Sequence, residues 1–268
     1  MKGAWVLAGG VIAANVVVLA ALAVNESGPG QADRVVVEDV VAQDPAAPVV
    51  PLPTTPPAST GQTAPDGPIG PAELADSRPP PLRASPEWVA KVSAETGIGS
   101  VAVRAYGTAT LTLARDVPGC RLGWPTLAGI GAIESGHGTH AGAVLLDDGH
   151  PSLPVLGPAL DGTNGTAAIH ARPDDTAWTQ DPDWAHAVGP MQFLPSTWRR
   201  WASDGDGDGV QDPNDLDDAA VAAGRYLCAA GGDLSTGAGW WAAVRSYNHD
   251  DAYVAQVLAT ADGYAART

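Results

Sequence analysis

Leu127-Ala128-Gly129-Ile130-Gly131-Ala132-Ile133-Glu134-Ser135-Gly136-His137-Gly138 is the stretch on which the reading of this chain turns. Pro125, just ahead of it, suits the first turn of a helix, and Gly136 is a natural stop past its end. Leu127, Ile130 and Glu134 then fall at i, i+3 and i+7, on one face. A carboxylate therefore rides on the buried stripe, in the last turn, facing the negative end of the helix dipole. Burial and dipole both disfavour the anion, so its pKa rises. A carboxyl that keeps its proton near neutrality is what a general acid needs. Taken alone, the stretch also reads as a helix ending in a solvated Glu.

Two later stretches favour the acid. Gly189-Pro190-Met191-Gln192-Phe193 and Ser246-Tyr247-Asn248 follow in that order. With Glu134-Ser135 they resemble the three motifs of peptidoglycan lytic transglycosylases: a Glu-Ser, a Gly-Leu-Met-Gln-like turn and an Ala-Tyr-Asn-like helix end. The run Ala187 to Trp198 is most similar to the membrane-bound lytic murein transglycosylase B type, and more narrowly to its actinobacterial branch. The similarity extends from about Ser85 to the C-terminus. It implies a mainly α, lysozyme-like domain over 85–268, acting as a monomer on peptidoglycan glycan strands without an organic cofactor.

The rest of the chain fits an exported protein. Residues Ala4 to Val24 are apolar except for Asn15, long enough to span a bilayer, and Ala21-Leu22-Ala23 is a small-x-small cleavage signal. Residues 1–24 are thus a signal peptide or a transmembrane anchor. With no Cys beside them, a lipoprotein anchor is excluded. The stretch 25–84 holds more than half of the 24 prolines and little to build a core from, so it reads as a disordered tether. A net charge of -16 and no basic patch argue against nucleic acid. Nine Trp against one Phe leave stacking on sugar rings open, although Trp is equally a core residue.

Ser85-Pro86 opens a helix that Gly97 stops, and a second helix runs from about Ser100 to Arg115 with Tyr106 in the core. Gly138 to His186 is a long irregular insertion, with short strands at most; the resemblance makes it part of a cleft wall. Cys120 and Cys228 are the only cysteines, and in an exported chain they favour a disulfide over a pair of buried thiols.

Asp204-Gly-Asp206-Gly-Asp208-Gly209-Val210-Gln-Asp212-Pro-Asn-Asp215 matches the twelve-residue EF-hand calcium loop. Asp204, Asp206, Asp208, Asp212 and Asp215 supply carboxylates, Val210 a backbone carbonyl, and Gly209 the sharp turn. Asp215 stands where Glu is preferred, so weak Ca2+ binding is expected; a solvated acidic turn is the plain alternative. Helices flank the loop, Pro195 to Ala202 and Leu216 to Ala229. Other constellations carry less. His137-x-x-His140 lacks further zinc ligands, Glu134-x-x-His137 lacks the second half of a di-iron motif, and no nucleophile elbow or phosphate loop occurs.

The resemblance assigns roles as well. Glu134 is the single acid and base that cleaves the bond between N-acetylmuramic acid and N-acetylglucosamine and closes a 1,6-anhydro ring. Ser135 hydrogen-bonds near that Glu or the backbone turn, Gln192 and Asn248 hold sugar or N-acetyl groups, and Tyr247 orients Glu134 or the cation-like intermediate. Two positions depart from the pattern. Ser246 replaces the usual Ala. Asp183 stands where the B type often carries Ser, about nine residues before the Gln. Asp183, or Asp181, is then a candidate second carboxylate, which keeps a hydrolytic muramidase open. A calcium-stabilised wall-binding module without catalysis is the non-enzyme alternative.

Overall fold

Ser85 starts the first helix as the sequence predicts: its side chain accepts the amide of Trp88, and Pro86 takes the first helical position. The computed structural model describes residues 82–163 and 166–268. The expected signal or anchor, and the expected tether up to residue 81, lie outside the described residues. Arg83 and Ala84, expected in the tether, are docked. Arg83 donates to the Asp206 carbonyl at 2.8 Å, and buried Ala84 donates to Thr108 Oγ1 at 3.1 Å.

The chain is mainly helical, and among the described residues it forms no strand, only isolated bridges. Eight α-helices follow one another among the described residues: α1 Pro86–Thr96, α2 Ser100–Asp116, α3 Trp124–Ser135, α4 Thr176–Thr179, α5 Pro195–Trp201, α6 Leu216–Gly231, α7 Gly237–Tyr247 and α8 Asp251–Ala265. α2 packs on α6, α6 on α7, and α3 on α8, with α1 laid across α2. None of the described helices is long and apolar enough to cross a membrane.

Small residues bring these helices into contact. A Cβ on Gly129 of α3 would meet the Val257 carbonyl of α8 at 3.0 Å, so the two backbones touch. Leu127 and Ile130 are fully buried, each contributing about 1.5–3 kcal/mol of burial. A Cβ on Gly224 of α6 would overlap Leu113 of α2. Beside that contact a disulfide joins Cys120, after α2, to Cys228 in the last turn of α6.

Between α3 and α5 the chain runs through turns, two short 3-10 segments and α4. Bridges pair Leu156 with Val188, His170 with Trp184, and Val188 with Phe193. This irregular stretch delivers the Gly189–Gln192 turn against the end of α3.

Candidate active site

Glu134 occupies the last turn of α3, and Gly136 ends the helix in the left-handed region at φ 59. The residue is half-buried, and burial pushes its carboxyl up to about 7, against an opposing hydrogen bond from Tyr253. That bond runs from the Tyr253 hydroxyl to Glu134 Oε1 at 2.5 Å. Its origin is the α3–α8 packing. The helices run antiparallel through the Gly129–Val257 contact, so moving one turn toward the end of α3 meets the start of α8, where Tyr253 lies.

The Gln motif is clamped onto this helix end from two sides. Buried Ser135 donates to the Pro190 carbonyl at 2.6 Å and accepts the Gly138 amide at 2.7 Å. Tyr247 donates to the Met191 carbonyl at 2.7 Å. Tyr247 thus holds the turn, and the hydroxyl on Glu134 belongs to Tyr253, a residue the sequence reading did not single out. Burial raises both tyrosines well above the usual phenol range, with Glu134's charge adding, so both stay protonated donors.

Gln192 sits at φ 50, a strained backbone for a residue with a Cβ. Its Nε2 donates to Gly189 O at 2.9 Å and Val155 O at 3.2 Å. Its Oε1 has no hydrogen-bond partner among the described residues and lies beside Gly157. Half-buried Asn248 ends α7, and its Oδ1 accepts the Asp250 amide at 3.2 Å. Asp183 is exposed. Asp181 instead accepts the amides of Asp183 and Trp184 and pairs with His186 at 3.0 Å; the His186 contact, then those amides, hold its carboxyl down to about 2.

His137 is a buttress behind the site. Its Nδ1 lies 3.0 Å from the Tyr106 hydroxyl and its Nε2 3.1 Å from that of Tyr264. Burial holds its pKa down to about 4, so the ring is neutral, one nitrogen donating and the other accepting. Gly131 makes room for Tyr106, whose hydroxyl a Cβ there would overlap. Core Tyr106 therefore has a polar task as well, and His140 is exposed.

The acidic loop gathers a different set from the one counted along the chain. Carboxylate oxygens of Asp204, Asp206 and Asp218 lie within 4.8 Å of one another. Asp215, expected as the last ligand, is buried and caps α6 by accepting the Asp217 amide at 2.7 Å. The first turn of α6 then returns Asp218 over the loop, where it accepts the amides of Gly205 and Asp212. Asp212 turns to Asn214, and Asp208 and Val210 are exposed. Burial pushes Asp218 up to about 7 and Asp215 to about 6, with neighbouring carboxylates adding to both. An all-oxygen, all-carboxylate donor set suits a hard divalent cation.

Tyr253→Phe should report directly on the Glu134 carboxyl and on whether it works as an acid. Its hydrogen bond lowers the Glu134 pKa, so removing it should move the alkaline limb of kcat/KM upward while lowering kcat about ten-fold. An unmoved limb would show that this contact does not tune Glu134.

No curated protein and no solved structure matches this chain. The stretch from the second 3-10 segment into α8, residues 173–256, carries Gln192, Tyr247, Asn248 and Tyr253 but not Glu134, and it matches the family model described as the Transglycosylase SLT domain.

Proposed function

We propose that this chain is a peptidoglycan lytic transglycosylase of the membrane-bound lytic murein transglycosylase B type, actinobacterial branch, with a lysozyme-like catalytic domain facing the cell wall. The observation that carries the reading is Glu134, a carboxyl whose pKa is raised to about 7 and which is aligned by Tyr253 beside the Gln192 turn. The match of residues 173–256 to the transglycosylase domain supports the same substrate, peptidoglycan.

Protonated Glu134 donates to the bridging oxygen between N-acetylmuramic acid and N-acetylglucosamine, and the bond from the muramyl C1 to that oxygen breaks. The carboxylate left behind accepts the proton of the muramyl 6-hydroxyl, whose oxygen closes on C1. One group performs both transfers and emerges protonated, so no second carboxylate is needed. Burial raises the Glu134 pKa, and the hydrogen bond from Tyr253 opposes that rise. Asp183 is exposed, which favours the single-acid mechanism over a muramidase that would use it. Gln192 Oε1 and Asn248 serve as sugar contacts, with Ser135 and Tyr247 holding the turn that carries Gln192. Product analysis, argued in the Discussion, tests the reading.

The same domain is proposed to bind Ca2+ weakly, with Asp204, Asp206 and Asp218 as carboxylate ligands and no organic cofactor. A dissociation constant of roughly 10⁻⁴ to 10⁻³ M is expected, as in extracellular modules. At ten times that concentration the ion should stabilise the fold by about 1.4 kcal/mol. The melt should rise in millimolar calcium relative to chelator. Asp218→Asn should abolish that rise, whereas Asp215→Asn, still a good helix cap, should keep it. The opposite pattern would return the last ligand to Asp215, and a melt indifferent to calcium would remove the ion.

A further inference from the structure

Gly189 lies directly on the acidic loop. It has φ 74, and a Cβ there would collide with the Pro213 carbonyl and come within 3.1 Å of Asn214 Cα. Asp212 holds this step of the loop in place: its Oδ1 accepts the Asn214 amide at 2.8 Å and Asn214 Nδ2 at 2.9 Å. The amide of Asp212 donates in turn to Asp218 Oδ2 at 2.8 Å. On the other side of the contact, Gln192 donates to the Gly189 carbonyl through its backbone at 3.1 Å and its side chain at 2.9 Å. A continuous path thus leads from Asp218 through Asp212, Asn214 and Gly189 to Gln192.

The turn needs such support. A non-glycine residue at positive φ costs about 1–2 kcal/mol, which surrounding contacts must hold in place. Ser135 grips Pro190 and Tyr247 grips Met191, but both act beyond Gly189. The Gly189 end rests on Pro213 and on the hydrogen bond its amide donates to the Val155 carbonyl at 2.8 Å. The loop is anchored well enough to bear on it: Leu216 donates to Gly149 O at 3.0 Å, and Arg104 pairs with Asp217 at 2.7 Å.

We propose that Pro213–Asn214 is a positioning strut for the Gln192 turn, so that order in the acidic loop, including the order a bound divalent cation brings, sets the position of Gln192. The proposal rests on the reading of Gln192 as a sugar contact and of the loop as a calcium site. Its test uses hydrogen exchange, which does not depend on catalysis.

Native-state exchange by mass spectrometry on the full chain compares calcium with chelator in the parent, then Asp212→Ala with Asp212→Asn. In the parent, the segment containing the Gly189, Gln192 and Phe193 amides should exchange about ten-fold more slowly in calcium, with α3 and α8 unchanged. Asp212→Ala should speed that segment by a similar factor and raise KM with kcat little changed. Asp212→Asn keeps the Oδ1 acceptor and should restore both, which separates the strut from the charge of Asp212. Protection gained only within residues 204–218, or uniformly across α3 and α8, overturns the strut while leaving the calcium site standing. Asp212→Asn behaving like Asp212→Ala also overturns it. Calcium that alters no amide overturns the strut together with the calcium site. Should Asp212→Ala not fold, the parent in calcium against chelator decides alone. Failure of the transglycosylase reading shows separately, in the products.

Discussion

Glu134→Gln should lower glycan-cleaving activity by about two orders of magnitude or more, because the amide keeps the shape of the acid but cannot transfer a proton. Asp183→Asn should cost much less, since Asp183 is exposed. The released fragments of the parent should carry anhydro ends, lighter by one water than hydrolysed ends, as mass spectrometry reads directly. Reducing ends throughout, or a loss in Asp183→Asn as deep as in Glu134→Gln, would make the protein a two-carboxylate muramidase. The parent's activity should fall as pH rises through about 7, where the raised carboxyl of Glu134 gives up its proton.

The same substitution should leave a mark on stability. The folded pKa of Glu134 stands at about 7, above its ordinary value of 4.5. Its ionisation is therefore easier in the unfolded chain, and the parent loses stability as pH rises from about 4.5 to about 7. Gln escapes that loss. Glu134→Gln should thus unfold at higher denaturant than the parent at pH 8, by on the order of 3 kcal/mol at most, and match it at pH 4. That pattern would set Glu134 apart from a surface Glu, whose removal brings no such pH-dependent gain.

The features legible in the sequence were local ones. Ser85, Pro86, Gly97 and Gly136 mark helix ends through backbone chemistry, and the structure places them at those ends. Glu134 was legible because the spacing from Leu127 and Ile130 puts it on the buried stripe. Tyr253 was not, because on α8 it shares the apolar stripe of Val254, Val257 and Tyr264 and reads as core. Its hydroxyl reaches Glu134 because Gly129 lets α3 pack closely on α8, two helices far apart in sequence. Asp218, a ligand of the proposed calcium site, was not singled out, for a local reason. A register counted residue by residue ends at Asp215, whereas the first turn of α6 folds back three residues later. Tyr253 stands in the chain as a Tyr needing a partner, which lies 119 residues away, whereas Asp218 stands in the Asp217-Asp218 pair opening a helix, with partners 6 and 13 residues back in the adjoining loop.

Reduction of the Cys120–Cys228 disulfide should produce a large loss of stability. The two residues are 108 apart, and the crosslink restricts the unfolded chain over that whole span. The chain-entropy account puts the effect at roughly 4 to 5 kcal/mol, against a usual total of about 5–15 kcal/mol for a domain. Both cysteines are buried, so paired Ala substitutions would also leave cavities and mix two effects. Comparing the oxidised chain with the same chain reduced in denaturant and refolded in reductant avoids this, since no side-chain carbon is lost. With a urea slope of about 2 kcal/mol per molar, the midpoint should fall by about 2 M. The unreduced, denatured chain should show no titratable thiol. Equal midpoints in the two redox states would mean that the reduced, unfolded chain already keeps the two residues close, so that the bridge restricts nothing further.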